Sequence, residues 1–239
     1  MGHAERHPVR HAFLTFFLFV LAVAYVGCFA SPQPDPPSLV PDKVFQRGAD
    51  RGGTYIVVGE AGSVEAGEGA RVFMALLDRP ASPITSTEVA ADGSFSFLGV
   101  MLDEGDELRL WVEDGDTRSA SVDLRVRAMA LVVAPRPLAC VSATPTDTLE
   151  LEAAPGTDGV GTLVLTNGCG EPIAIESAML RAPAEGLSIG AVPTTVDPSA
   201  SLEITFRASG ADVEEILLIT LVGAERERRP ITLRGVVAD

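Results

Sequence analysis

The chain has 239 residues, 46% of them hydrophobic, and carries a net charge of −15 from 33 Asp and Glu against 18 Lys and Arg. That much apolar side chain can fill the core of one large domain or two ordinary ones. The acidity argues against a nucleic-acid binder, because phosphate contacts need clustered cations and Lys43 is the only lysine.

The N-terminal segment is mildly basic, with Arg6 and Arg10 against Glu5. From Ala12 to Val26 the chain is apolar except for Thr15. As a helix that run rises about 22 Å, short of the ~30 Å hydrocarbon core, so it reads as a secretory leader. The three histidines, His3, His7 and His11, all precede it. Removal of the leader therefore takes away the usual general base and the commonest metal ligand, along with any Ser-His-Asp or Cys-His arrangement. The expectation is a protein with no catalytic residue, no metal and no cofactor.

The end of the run, Tyr25-Val26-Gly27-Cys28, resembles the lipobox of bacterial lipoproteins, with Tyr25 where that family usually has Leu. The resemblance implies a signal peptide over residues 1–27 and a fatty-acylated Cys28 as the new N-terminus. The membrane is then a partner through the lipid, each buried methylene contributing about 0.8 kcal/mol. Phe29 after the Cys, rather than Asp, implies the outer membrane under the sorting rule of enterobacterial lipoproteins. An uncleaved anchor and ordinary cleavage near Ala30 are the alternatives. All three place the rest of the chain outside the cytoplasm, in the cell envelope. Residues 28–52 follow as a linker, and the prolines of Ser31 to Pro41 predict an extended spacer with no fold of its own.

Beyond Val44 no segment has a helical period, and short alternating stretches appear instead. Leu108, Leu110 and Val112 alternate with Arg109, Trp111 and Glu113; Val122, Leu124 and Val126 with Asp123, Arg125 and Arg127; Leu202, Ile204 and Phe206 with Glu203, Thr205 and Arg207. Each set puts apolar side chains on one face of a strand and the rest on the other. Asp92-Gly93 and Asp114-Gly115 sit between such runs and predict hairpins with positive φ at both central residues. Gly59, Gly62, Gly67 and Gly69 do not form a phosphate loop, since no helix and no Gly-Lys-Ser/Thr follows. The prolines of Ala134 to Cys140 mark a boundary. The fold expected is all-β, two immunoglobulin-like sandwiches in tandem over 53–133 and 134–239.

The first half carries "VVGEAGSVEAGEGARVFM", "VAADGSFSF" and "GDELRLWVEDGDTRSASVDLRV" and resembles a bacterial immunoglobulin-like domain. The second carries "GTLVLTNGCGEPIAI", "VDPSASLEITF" and "RPITLRGVV" and resembles the Hydin-like immunoglobulin-like domains of bacterial envelope proteins. Ala208-Ser209 replaces the Pro that usually follows the "I-x-F" strand. These resemblances imply scaffold or interaction modules with no catalytic residues.

With Cys28 acylated, Cys140 and Cys169 form an even pair in an oxidising compartment, read as a disulfide. Two buried free thiols or a metal pair are the alternatives. The acids Asp103, Glu104, Asp106 and Glu107, and Glu113, Asp114 and Asp116, lack the spacing of a calcium loop and read as solvated turn residues. No carboxylate pair is singled out for glycoside chemistry. Trp111 beside Arg109 is a candidate contact surface, since aromatic and Arg side chains are enriched at binding hot spots. Packing against a neighbouring strand or the adjoining domain is the other reading. The function expected is a non-catalytic, membrane-anchored structural module with a protein or glycan partner. An accessory subunit of a secretion or surface-structure assembly is the alternative, and a carboxylate- or Ser-dependent hydrolase the remote one.

Overall fold

The computed structural model describes residues 35–48, 54–67 and 69–238. The leader and Cys28 lie outside them. Among the described residues no helix is long and apolar enough to cross a membrane.

The first half runs β1 (Ser38–Leu39), β2 (Val44–Arg47), β3 (Thr54–Gly59), β4 (Val64–Glu65), β5 (Arg71–Leu76), β6 (Thr85–Glu88), β7 (Phe95–Met101), β8 (Glu107–Asp114), β9 (Thr117–Arg118), β10 (Val122–Arg127) and β11 (Ala130–Val133). They pair as β2-β3-β7 and as β11-β10-β8-β5-β6, with β9 on β8 and β1 on β4. The two larger sheets close over Val57, Val72, Phe97, Leu108, Leu110 and Leu124. The alternation of Leu108, Leu110 and Val112 is thus read correctly for the inner face.

Three expectations need correction here. The segment to residue 52 is not only a spacer: Ser38–Leu39 pairs with Val64–Glu65, and Val44 is in the core. Strands of two and four residues are too short for their alternation to stand out. Asp92-Gly93 does not close a hairpin, because β6 pairs with β5 while β7 pairs with β3. Its turn, closed by Gly93 N–H to Ala90 O at 2.8 Å, carries the chain from one sheet to the other. Asp114-Gly115 does begin a hairpin, but the central residues are Gly115 and Asp116, and only Gly115 has positive φ, at 58°. Glycine in first position suffices for that loop.

A hairpin with no glycine joins β10 to β11. Arg127 pairs with Ala130, which leaves Ala128 (φ 50°) and Met129 (φ 62°) as its central residues. Left-handed backbone with a Cβ costs about 1–2 kcal/mol per residue. Glu104 accepts a hydrogen bond from Ala128 N–H at 3.0 Å and helps hold the turn. Met129→Gly is therefore expected to raise stability by about 1 kcal/mol, read as an increased urea midpoint at constant slope.

The second half runs β12 (Val141–Thr144), β13 (Thr148–Ala153), β14 (Asp158–Asn167), β15 (Ile173–Leu180), β16 (Leu187–Ile189), β17 (Thr195–Val196), β18 (Ser199–Arg207), β19 (Val213–Val222) and β20 (Arg226–Val237). Its sheets are β12-β14-β18-β16 and β13-β20-β19-β15-β17. All pairs are antiparallel except β13 on β20. Leu163, Leu165, Leu202, Ile204, Phe206, Leu217 and Leu233 fill the space between them. A Cβ at Gly235 would lie 2.5 Å from the Phe206 ring, so this close approach needs glycine.

The Cys140–Cys169 disulfide is present, with Cα atoms 5.1 Å apart and a sequence separation of 29. Asn167 shapes the turn that presents Cys169: its side chain accepts from Cys169 N–H at 2.8 Å and donates to Glu171 O at 2.7 Å. A loop of this length is worth about 3.5 kcal/mol in the chain-entropy model. The protein is thus all-β, built of two immunoglobulin-like sandwiches.

Candidate functional site

Two features stand apart from ordinary sandwich packing. One is a sealed contact between the sandwiches; the other is an open edge on the first.

The contact is built from strands that are apolar on both faces. In β5, Val72, Met74 and Leu76 point into the first core, while Phe73 and Ala75, with Leu77 just beyond the strand, face outward. In β19, Leu217, Ile219 and Leu221 point into the second core, while Ile216 and Leu218 face outward. The outward rows meet around Trp111. Its ring stacks on Phe73 with centroids 5.4 Å apart and planes 8° from parallel. The Arg118 guanidinium covers the ring, its carbon 4.5 Å from the ring centroid.

Trp111 and Arg109 are therefore not an outer contact surface. Trp111 is fully buried and Arg109 is 3% exposed. The alternation in β8 is real, but its second face meets another sheet instead of water, so both faces are buried. Arg109 donates to Asp123 at 2.7 Å within its own sandwich. Across the contact it donates to Pro230 O at 2.8 Å and Thr232 Oγ1 at 3.2 Å.

Charged pairs ring the apolar centre. Arg118 is bidentate on Glu214, 3.1 Å to each oxygen. Arg228 reaches Asp78 at 2.5 and 2.9 Å, and Glu107 at 2.9 and 3.1 Å. Arg125 shares the same Glu107 carboxylate from within the first sandwich. Arg181 binds Glu215 at 2.9 and 3.1 Å, and its remaining nitrogen donates to Ser82 O at 2.8 Å. Asp147 accepts from the Ser121 hydroxyl at 2.9 Å. The connecting segment is clamped too: Arg136 pairs with Asp123 and donates to Arg228 O at 2.7 Å. Paired arginines satisfy most of the polar groups that two facing sheets would otherwise leave buried without partners, although Arg118 Nε is itself buried and unpaired.

The acids between 103 and 107 are likewise not a uniformly solvated turn. Asp103 and Asp106 both clasp Arg79, at 2.6 and 2.8 Å, and Glu107 is buried. The two carboxylates raise the Arg79 pKa above its usual value. Among the described residues no group of three His, Cys, Asp or Glu is placed to hold a metal ion.

Burial pushes the Asp78 carboxyl up. Hydrogen bonds from Arg228 and the Glu107 backbone, with the charges of Arg228 and Arg125, outweigh it and hold the group below its usual 3.8. A depressed carboxylate contributes stability above its unfolded pKa and loses it as pH falls through the folded value. The stability gap between the natural chain and Asp78→Asn is thus expected at about pH 6, and to shrink below about pH 4. Denaturation curves at the two pH values check this.

The open edge lies on the first sandwich beside the segment that Arg181 contacts, since Ser82, which accepts from Arg181, also lines it. β7 is paired only with β3, and β6 only with β5, so both end their sheets. A cleft of about 230 Å³ opens between them, lined by Met74, Leu76, Pro83, Phe97, Leu98 and Met101. A bulge interrupts β7 opposite Tyr55–Val57, where Gly99 takes φ 68°. The sequence gives one signal for the sealed face and none for the cleft. "VFMALL" (72–77) and "ILLI" (216–219) are unbroken apolar runs, which mark strands covered on both sides.

No family model matches this chain, and no curated protein does. Solved structures overlap with it in part. The ASH / PapD-like domain 7 of human CEP192 is 14% identical, covering 45% of this chain and 92% of that one, at a TM-score of 0.35. WR4, a C. elegans MSP family member, is 19% identical over 41% of this chain and 98% of that one, at 0.31. A Porphyromonas gingivalis W83 protein of unknown function is 12% identical over 84% of this chain and all of its own, at 0.36. At such scores the fold rests on the chain's own strand pairing.

Proposed function

We propose that this is a non-catalytic envelope lipoprotein, anchored through an acylated Cys28 at the outer membrane, that holds two sandwiches in one fixed orientation to engage a partner protein. The observation that carries the reading is the sealed contact. Arg109, Arg118, Arg181 and Arg228 each bond across it or brace it, so the sandwiches act as one arm instead of two beads on a string. A fixed arm suits a module that must hold the surfaces of its two sandwiches in one mutual orientation. The disulfide and the leader support export.

Fractionation of cells expressing the full chain tests the reading. The natural chain stays with membranes after a high-salt wash and incorporates a labelled palmitate analogue. Cys28→Ser is released in soluble form. Retention of Cys28→Ser on washed membranes would overturn the lipid anchor.

A further inference from the structure

We propose that the cleft between β6 and β7 takes an extended segment of another protein, apolar at alternate positions and flanked by Lys or Arg, laid beside β7 as an added strand. The inference deepens the reading above and rests on it for there being a partner.

Backbone, side chains and charge each specify part of that occupant. Among the described residues no strand pairs with the outer side of β7, so its free N–H and C=O groups are open to an incoming strand. The cleft floor is core: Met74, Leu76, Phe97 and Val100 are buried. Its mouth is apolar and open: Leu98 is 75% exposed and Met101 53%. A strand laid there sends every second side chain toward the floor. Burying a Val- or Leu-sized group in this way is worth about 1.5–3 kcal/mol.

The charge around the cleft selects the flanks. At the Met101 end lie Asp103, Glu104 and Asp106 with Arg79 as their cation, and the Asp103 side chain is 82% exposed. At the other end of β6 the exposed Glu88 sits opposite Arg71 of β5, so the excess negative charge lies at the Met101 end, and the chain as a whole carries −15. These carboxylates attract a basic-flanked segment and repel a second copy of this acidic chain.

The test uses the full chain and a fluorescein-labelled synthetic peptide of alternating valine and threonine, closed by lysines at both ends. Anisotropy is expected to show binding that weakens with added salt. Leu98→Glu, an exposed position whose change spares the core, is expected to weaken binding about ten- to hundredfold. A glutamate-flanked peptide of the same centre is expected to bind weakly or not at all. Amide exchange is expected to slow over Phe95–Met101 when the lysine peptide is present.

Absent binding, equal binding by Leu98→Glu, or protection confined to another edge overturns the proposal. So does a dimer of the free chain that Leu98→Glu dissolves, since a second copy is then the occupant. The Cys28→Ser fractionation is independent of all these outcomes, so failure of the anchor and failure of the cleft are read separately.

Discussion

Trp111→Ala is expected to cost about 3–5 kcal/mol of stability, the largest loss for any single aromatic in this chain. Three terms add at this position. The indole is fully buried among Ala75, Leu77, Ile216 and Leu218, so its removal leaves a void between two stiff sheets that cannot collapse onto each other. Its stack on Phe73 is lost, worth about 0.5–1.5 kcal/mol beyond area. Arg118 also loses the ring it covers, though it keeps Glu214.

Urea denaturation followed by circular dichroism measures the loss. Trp111→Phe keeps an aromatic in the stack and is expected to lose much less. The natural chain has one tryptophan, so its fluorescence reports on this contact alone. Emission should shift to the red when the sandwiches part. A loss below about 1 kcal/mol for Trp111→Ala would mean that the contact holds without its centre.

Glu215→Ala is the second large effect, a loss of about 3–5 kcal/mol. Arg181 and Glu215 are both buried, and removing the acid leaves the guanidinium charged in a low-dielectric site. Glu215 also accepts from Ile216 N–H at 2.8 Å, so that donor is left unpaired.

Replacing both partners by apolar residues, Arg181→Met with Glu215→Leu, should recover part of the loss, as it does for buried pairs in general. Recovery is incomplete here for a specific reason. Arg181 donates to Ser82 O and Arg79 O in the first sandwich, at 2.8 and 3.3 Å, and the methionine cannot. Unsatisfied carbonyls cost about 1–3 kcal/mol each when buried. A double-mutant cycle separates the ion pair from this bridge. A double variant as stable as the natural chain would show that the bridge contributes nothing to joining the sandwiches.

The chain's local chemistry alone specified the inner rows of both sandwiches. Leu108, Leu110 and Val112, and Leu202, Ile204 and Phe206, alternate with polar neighbours and lie in the two cores. It also specified that a hairpin begins at Asp114-Gly115, because a strand's period of two and a turn are properties of a few adjacent residues, whereas the even count of cysteines only suggested the bond that the fold closes between Cys140 and Cys169.

What local chemistry left open is what covers the other face of each strand. Arg109 and Trp111 read as outward and are outward from their own sheet. Only the second sandwich, more than a hundred residues further on at Ile216, Leu218 and Pro230, turns that outer face into an interior. The Asp92-Gly93 turn is similar: its geometry is local, but whether it joins paired neighbours or two different sheets depends on which strand each partner finds. The cleft beside β7 follows from the same cause. A strand becomes an edge when no other strand arrives, and the tertiary structure alone decides that.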